Sequence, residues 1–100
     1  VVLAMRARIA AMQKNRSDQY NQEIVDLMDR VRETTDLSQV DDVERRLFKM
    51  FEQVINDLDK GNITAETLGA FTLSWNQAIE TVRHRRLVLA ARPGQQPVSA

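Results

Sequence analysis

Apolar residues recur along this chain at intervals of three and four, the spacing that lets a helix bury one face. From about Val2 to Glu33 the step is kept by Met5, Ile9 and Met12 and then by Tyr20, Ile24, Leu27 and Val31, with Arg16 occupying the stripe between the two halves. The polar run Asn15-Arg16-Ser17-Asp18 marks either one long helix passing from exposed to buried surroundings or a break at which Ser17 caps a new helix. The unbroken helix, its first third projecting from the core, is the reading favoured.

Thr34-Thr35-Asp36-Leu37-Ser38 reads as a turn in which Asp36 or Ser38 caps the next helix. The pattern predicts that second helix over about 39–59, with a stripe of Val40, Val43, Leu47, Met50 or Phe51, Val54 and Leu58, widened by Phe48 and Ile55. Asp41, Asp42 and Glu44 fall in its first turns, where the dipole favours acids. Asp41 and Asp42 also precede Arg45 and Arg46 by four residues, a spacing that supports an exposed face. Gly61 then supplies a left-handed stop and Thr64 a cap, with Glu66 near the positive end of the third helix.

That helix is expected over about 65–91, ending at Arg92-Pro93-Gly94. Leu68, Phe71, Trp75, Ala78 or Ile79 and Val82 form its stripe, and Gly69 with Ala70 offers a flat patch for close packing. Phe48 and Phe51 on one side and Phe71 and Trp75 on the other are expected to share an interior. The Trp75 indole N–H needs a partner there, from Asn76, Gln77 or a backbone carbonyl. The fold class is therefore all-α: a three-helix antiparallel bundle over residues 1–92 with a long first helix, followed by a disordered tail at 93–100. A core of this size leaves Val1 to Met12 uncovered, so dimerisation through first helices, or the rest of a parent protein, is expected to complete it.

Length and composition narrow the class further. One hundred residues make one domain with a modest core. Both prolines lie in the last eight residues, so nothing interrupts the helices. With no cysteine, disulfides and thiolate chemistry are excluded. The formal net charge of zero conceals a segregation: residues 1–16 carry four bases and no acids, residues 17–80 six bases and fourteen acids, and residues 81–100 four bases. The two basic ends are candidates for contact with anionic lipid headgroups or partners, through Arg6, Arg8, Lys14 and Arg16 at one end and Arg83, Arg85 and Arg86 at the other. At the second end the bases also complement a helix dipole.

The opening run VVLAM is too short to cross a bilayer, which needs about 20 apolar residues, but passing directly into bases it reads as the cytoplasmic end of a membrane helix. Together with the absence of an initial Met, this suggests a segment of a longer, membrane-anchored protein on the cytoplasmic side.

Candidate chemistry is sparse. The stretch from Asp57 to Glu66 has half the look of a calcium loop. With Gly61 at loop position 6, however, the ligand positions fall on Asn56, Leu58, Lys60 and Thr67, of which three fail. His84, the sole histidine, lies among Arg83, Arg85 and Arg86 with Glu80 one turn before it, the setting of an exposed structural side chain rather than a phosphoacceptor. No second His or Cys accompanies it, so no metal is expected. Nucleic-acid binding is not expected either, because no aromatic residue is interleaved with the bases and the middle is acidic. Ser17, Ser38 and Ser74 have no nearby His and the acids do not converge, so the chain is read as no enzyme and as needing no cofactor.

Taken in order, the basic helix start, Tyr20-Asn21-Gln22-Glu23-Ile24, the turn Asp36-Leu37-Ser38-Gln39-Val40 and the last helix from Phe71-Thr72-Leu73-Ser74-Trp75-Asn76-Gln77-Ala78-Ile79 into Arg83-His84-Arg85-Arg86 resemble the helical C-terminal region of membrane-anchored solute-binding proteins of the TAXI class of TRAP transporters. The resemblance covers nearly the whole chain. It implies an accessory or assembly domain that contacts transporter subunits, with the ligand-binding lobes upstream, and it carries no binding residue onto this sequence. The alternative from another class is a cytoplasmic signalling or regulatory bundle of a membrane receptor, whose first helix would transmit motion.

Overall fold

The computed structural model describes residues 1–91 and consists over that span of three α-helices: α1 (Val2–Glu33), α2 (Leu37–Asp59) and α3 (Ala65–Ala90). The expected tail at 93–100, and Arg92, lie outside the described residues. α1 runs through Asn15-Arg16-Ser17-Asp18 without a break, so Ser17 caps nothing.

α2 begins two residues earlier than its apolar pattern implies, because Asp36 is the N-cap and its carboxylate accepts from the Ser38 backbone N–H at 2.9 Å. Asp41, Asp42 and Glu44 consequently lie beyond the first turn, and their partners are side chains rather than the dipole. Asp42 meets Arg45 three residues on, whereas Arg46 and Asp41 reach to other helices, Arg46 to Glu23 of α1 and Asp41 to Arg86 of α3. The i,i+4 pairing expected on this face gives way to ties between helices.

Gly61 turns the chain from α2 into α3 at φ +76°, a left-handed conformation that side chains resist. Thr64 caps α3, its hydroxyl accepting from the Thr67 backbone N–H at 3.1 Å. The chain therefore runs up, down and up, with α1 and α3 parallel and α2 antiparallel to both. Contacts at the two ends fix this arrangement. Gln13 donates to the Gly61 carbonyl at one end (3.1 Å), and Arg85 donates to the Thr34 carbonyl at the other (2.7 and 3.2 Å).

The core runs between these ends. Val31, Val40, Val43, Leu47, Met50, Val82 and Leu89 are fully enclosed, and Ile24, Leu27, Val54, Phe71, Ala78 and Ile79 pack with them. A row of aromatic contacts crosses the helices, from Tyr20 to Phe71, Phe51 and Trp75, with ring centroids 4.9–5.9 Å apart. Trp75 directs its indole N–H to the Leu47 carbonyl of α2 at 2.7 Å, so a backbone carbonyl satisfies it. Phe48 and Ile55 depart from expectation. Each is exposed, Phe48 resting edge-on against Trp75 at the rim instead of filling the interior. Gly69 has no neighbour within 4 Å of where a Cβ would stand, so it mediates no close approach.

Candidate functional site

The first third of α1 is where the molecule is unfinished. Eighteen residues make five whole turns of an α-helix, so Ile9 and Arg6 lie in line with the buried Leu27 and Ile24, Met5 with Glu23 at the rim, and Met12 with the exposed Arg30. The bundle-facing surface of α1 thus continues past the α2–α3 turn, where nothing receives it. Val2, Leu3, Met5, Ile9 and Met12 are all exposed, Met5 at 57% and Ile9 at 48%. Since Gln13 is level with Gly61, about twelve residues, roughly 18 Å of helix, overhang the bundle end. The result is a step. Its wall carries Arg6 and Ile9, with the Met5 and Met12 side of the stripe turned toward solvent, and its floor is the turn at Lys60-Gly61-Asn62.

Charge frames this wall. At 100° per residue, Arg8 lies roughly 40° beyond the Met12 edge of the stripe and Arg6 roughly 60° beyond the Ile9 edge. Arg6, Arg8 and Lys14 are exposed, and no acid occurs before Asp18. Arg16 differs from these three, because its guanidinium turns back to Asp57 of α2 at 3.4 Å.

Asp57 is the centre of a cluster that sequence reasoning missed as a unit. Its carboxylate accepts from the Tyr20 hydroxyl, from the Asn62 amide at 3.2 Å and from Arg16. Burial opposes its ionisation, yet the Tyr20 and Asn62 hydrogen bonds and the charges of Arg16 and Lys60 outweigh that, and its pKa lies below the usual carboxylate value. Tyr20 is the reciprocal case: burial first, then the hydrogen bond to the Asp57 carboxylate and its charge, push the phenol up to about 12. The signal in the sequence was a lone Asp in the core-facing register of α2 and a Tyr in that of α1. Asp57 therefore serves as a latch between α1 and the α2–α3 turn, not as half of a calcium loop.

An open cleft of about 440 Å³ lies beside this latch, lined by Arg16, Tyr20, Glu23, Arg46, Asp57 and Lys60 among others. Four of these charges are already paired: Arg46 meets Glu23 at 2.6 Å and Arg16 meets Asp57, while Lys60 is exposed at the rim. Among the described residues no buried side-chain polar atom lacks a hydrogen-bond partner, and no group of three or more His, Asp or Glu is placed to hold a metal.

The second basic end is largely consumed within the fold. Arg85 closes the C-terminus of α1 through the Thr34 carbonyl, and Arg86 bridges Glu44 (3.2 Å) and Asp41 (2.8 Å) of α2. Those bonds raise the already high pKa of Arg86. Arg83 is exposed beside Glu80 at 3.5 Å, so Glu80 meets Arg83. Of the three arginines singled out at this end, only Arg83 keeps its charge toward solvent.

Comparison with protein-family models, with curated proteins and with solved structures found no match. The structure defines the class, an all-α three-helix bundle carrying an extended first helix. Among the described residues no helix is long and apolar enough to cross a membrane.

Proposed function

We propose that this chain is a non-catalytic accessory or assembly domain of a membrane-anchored transport protein, mediating protein–protein contacts on the cytoplasmic side of the membrane. One observation carries the reading. α1 extends about three turns beyond its bundle with an apolar tip, Val1, Val2 and Leu3 exposed at 100%, 62% and 80%, followed by Arg6 and Arg8 with no acid among them. A helix start of that kind is suited to continue a membrane-spanning segment into the cytoplasm, with the arginines at the headgroups. The bundle below would then be held at a fixed distance by the Gln13, Arg16 and Tyr20 contacts. Assignment to transport rests on the sequence resemblance alone.

The signalling alternative draws on a different observation. α1 is unbroken from its tip to Glu33 and is latched to α2 through Asp57, so displacement of the tip would reach the core.

This chain holds no cysteine to interfere with a thiol probe. Single variants Leu3→Cys and Leu73→Cys are introduced into the full-length protein, with any cysteine outside this chain replaced by serine, and probed in native membranes with a membrane-impermeant maleimide. Leu73→Cys, on the outer surface of α3, should label only from the cytoplasmic side, and Leu3→Cys should stay shielded. Free labelling of both in a soluble fraction would remove the membrane reading.

A further inference from the structure

The open cleft beside the Asp57 latch gathers cations from three separate elements: Arg16 from α1, Arg46 from α2 and Lys60 from the turn into α3. Only two carboxylates line it with them, Glu23 and Asp57, so the lining carries one net positive charge. The ion pairs of the fold leave donors over. Asp57 spends both oxygens on Tyr20, Asn62 and Arg16, but Arg16 gives it a single terminal nitrogen at 3.4 Å and stays 46% exposed. Arg46 turns its Nε and one terminal nitrogen to Glu23, which leaves the other terminal nitrogen for a second partner. Lys60 forms no salt bridge among the described residues.

Every residue that lines the cleft carries a polar side-chain group, so an apolar occupant would strip water from those groups and give nothing in return. A volume of about 440 Å³ suits a small molecule. An acceptor-rich anion fits the surplus of donors, and the number of cations decides which kind. A phosphate monoester brings close to two charges and three terminal oxygens, enough for a guanidinium from each helix and the ammonium, whereas a carboxylate brings one charge and two oxygens.

We propose that this cleft binds a small soluble phosphate ester, its phosphate held by Arg16, Arg46 and Lys60, with the amides of Gln19, Gln53 and Asn56 available to hydroxyl groups on the rest of the molecule. The site is independent of membrane attachment, which the maleimide experiment reads separately.

The test titrates the whole chain with glycerol 3-phosphate at pH 7.5 and follows NMR signals of the Arg16 and Arg46 Nε–H groups and the Gln53 and Asn56 side-chain amides. These should move and saturate with a dissociation constant of about 5 mM or below. Succinate should bind at least about threefold more weakly. Lys60→Gln, at an exposed position, should weaken glycerol 3-phosphate at least about threefold, and an unchanged helical circular dichroism spectrum verifies folding. Arg45→Gln, also exposed but outside the lining, should leave the affinity unchanged. The proposal is overturned by a response that does not saturate by about 50 mM, by equal shifts from sodium chloride at matched ionic strength, or by an affinity that Lys60→Gln does not move. Succinate binding as tightly as the ester would overturn the assignment to phosphate, and a loss with Arg45→Gln equal to that with Lys60→Gln would reduce the site to general surface charge and overturn it as well.

Discussion

The two parts of α1 carry the same kind of stripe and meet opposite fates. Between Tyr20 and Val31 the stripe is roofed by α2 and α3 and Val31 is fully enclosed; between Met5 and Met12 it is half exposed and has turned partly away from the bundle side, Met12 lying five turns before the exposed Arg30. Residue type does not separate them. What differs is the drift of the stripe around α1 and the length of the neighbours: α2 and α3 end at a turn level with Gln13, and α1 does not. Periodicity therefore specifies which face of a helix seeks burial, while burial itself depends on how far the surrounding helices extend.

The contrast can be broken most strongly at its centre. Leu47→Ala removes a side chain with no exposed surface and should cost about 2–5 kcal/mol in urea unfolding, whereas Ile9→Ala should stay within about 0.5 kcal/mol. A large loss at Ile9 in the isolated chain would mean that the overhang is covered in solution.

Asp57→Ala should cost about 2–3 kcal/mol, since it leaves the Tyr20 hydroxyl and the Asn62 amide without their acceptor. It should also loosen the junction between the two parts of α1, seen as faster amide exchange around Gln13 to Tyr20.

Gly61→Ala meets no neighbour within 4 Å, so its penalty should be the left-handed backbone alone, about 1 kcal/mol in the same unfolding assay.

The smallest effect concerns pH. Tyr20 is the only tyrosine, so absorbance at 295 nm reports it selectively, and its midpoint should stand near pH 12 in the folded chain against about 10 in urea. Because the folded value is the higher one, the stability linked to Tyr20 is complete below about pH 10 and is lost as pH rises through about 12. A native midpoint near 10 would mean that the latch is open.

Much of this fold was legible because helices announce themselves locally. The three stripes, the Gly61 stop and the Thr64 cap each depend on a few adjacent residues. Asp36 was visible as a cap, yet the start of α2 was read two residues late because Leu37 and Ser38 are not part of the buried stripe. What escaped were relations across the chain. The Asp57 latch joins residues 37 and 41 positions apart, and the Arg85 contact with Thr34 spans 51. Nothing in local spacing encodes such distances. Phe48 was misplaced for a related reason: an aromatic at the edge of a stripe falls in the core or on the rim according to the rotation of α2 against α3. Of the candidate site, Arg6, Arg8 and Lys14 were readable as a basic set, but the step they border exists only once the end of the neighbouring helices is known.

The bundle is fastened at its two ends by different kinds of chemistry. At the α2–α3 turn the fastening is a carboxylate whose pKa is depressed, so its contribution holds above the unfolded value and drains away as pH falls through the folded one. At the opposite end an arginine grips a backbone carbonyl, and neither partner exchanges a proton in that range. Acid below the usual carboxylate range should therefore loosen the latch beside the overhang. The Arg85 bond to the Thr34 carbonyl holds at the far end even where the neighbouring Arg86 bridges to Asp41 and Glu44 rely on carboxylates, so the two ends of the bundle differ in what acid can reach.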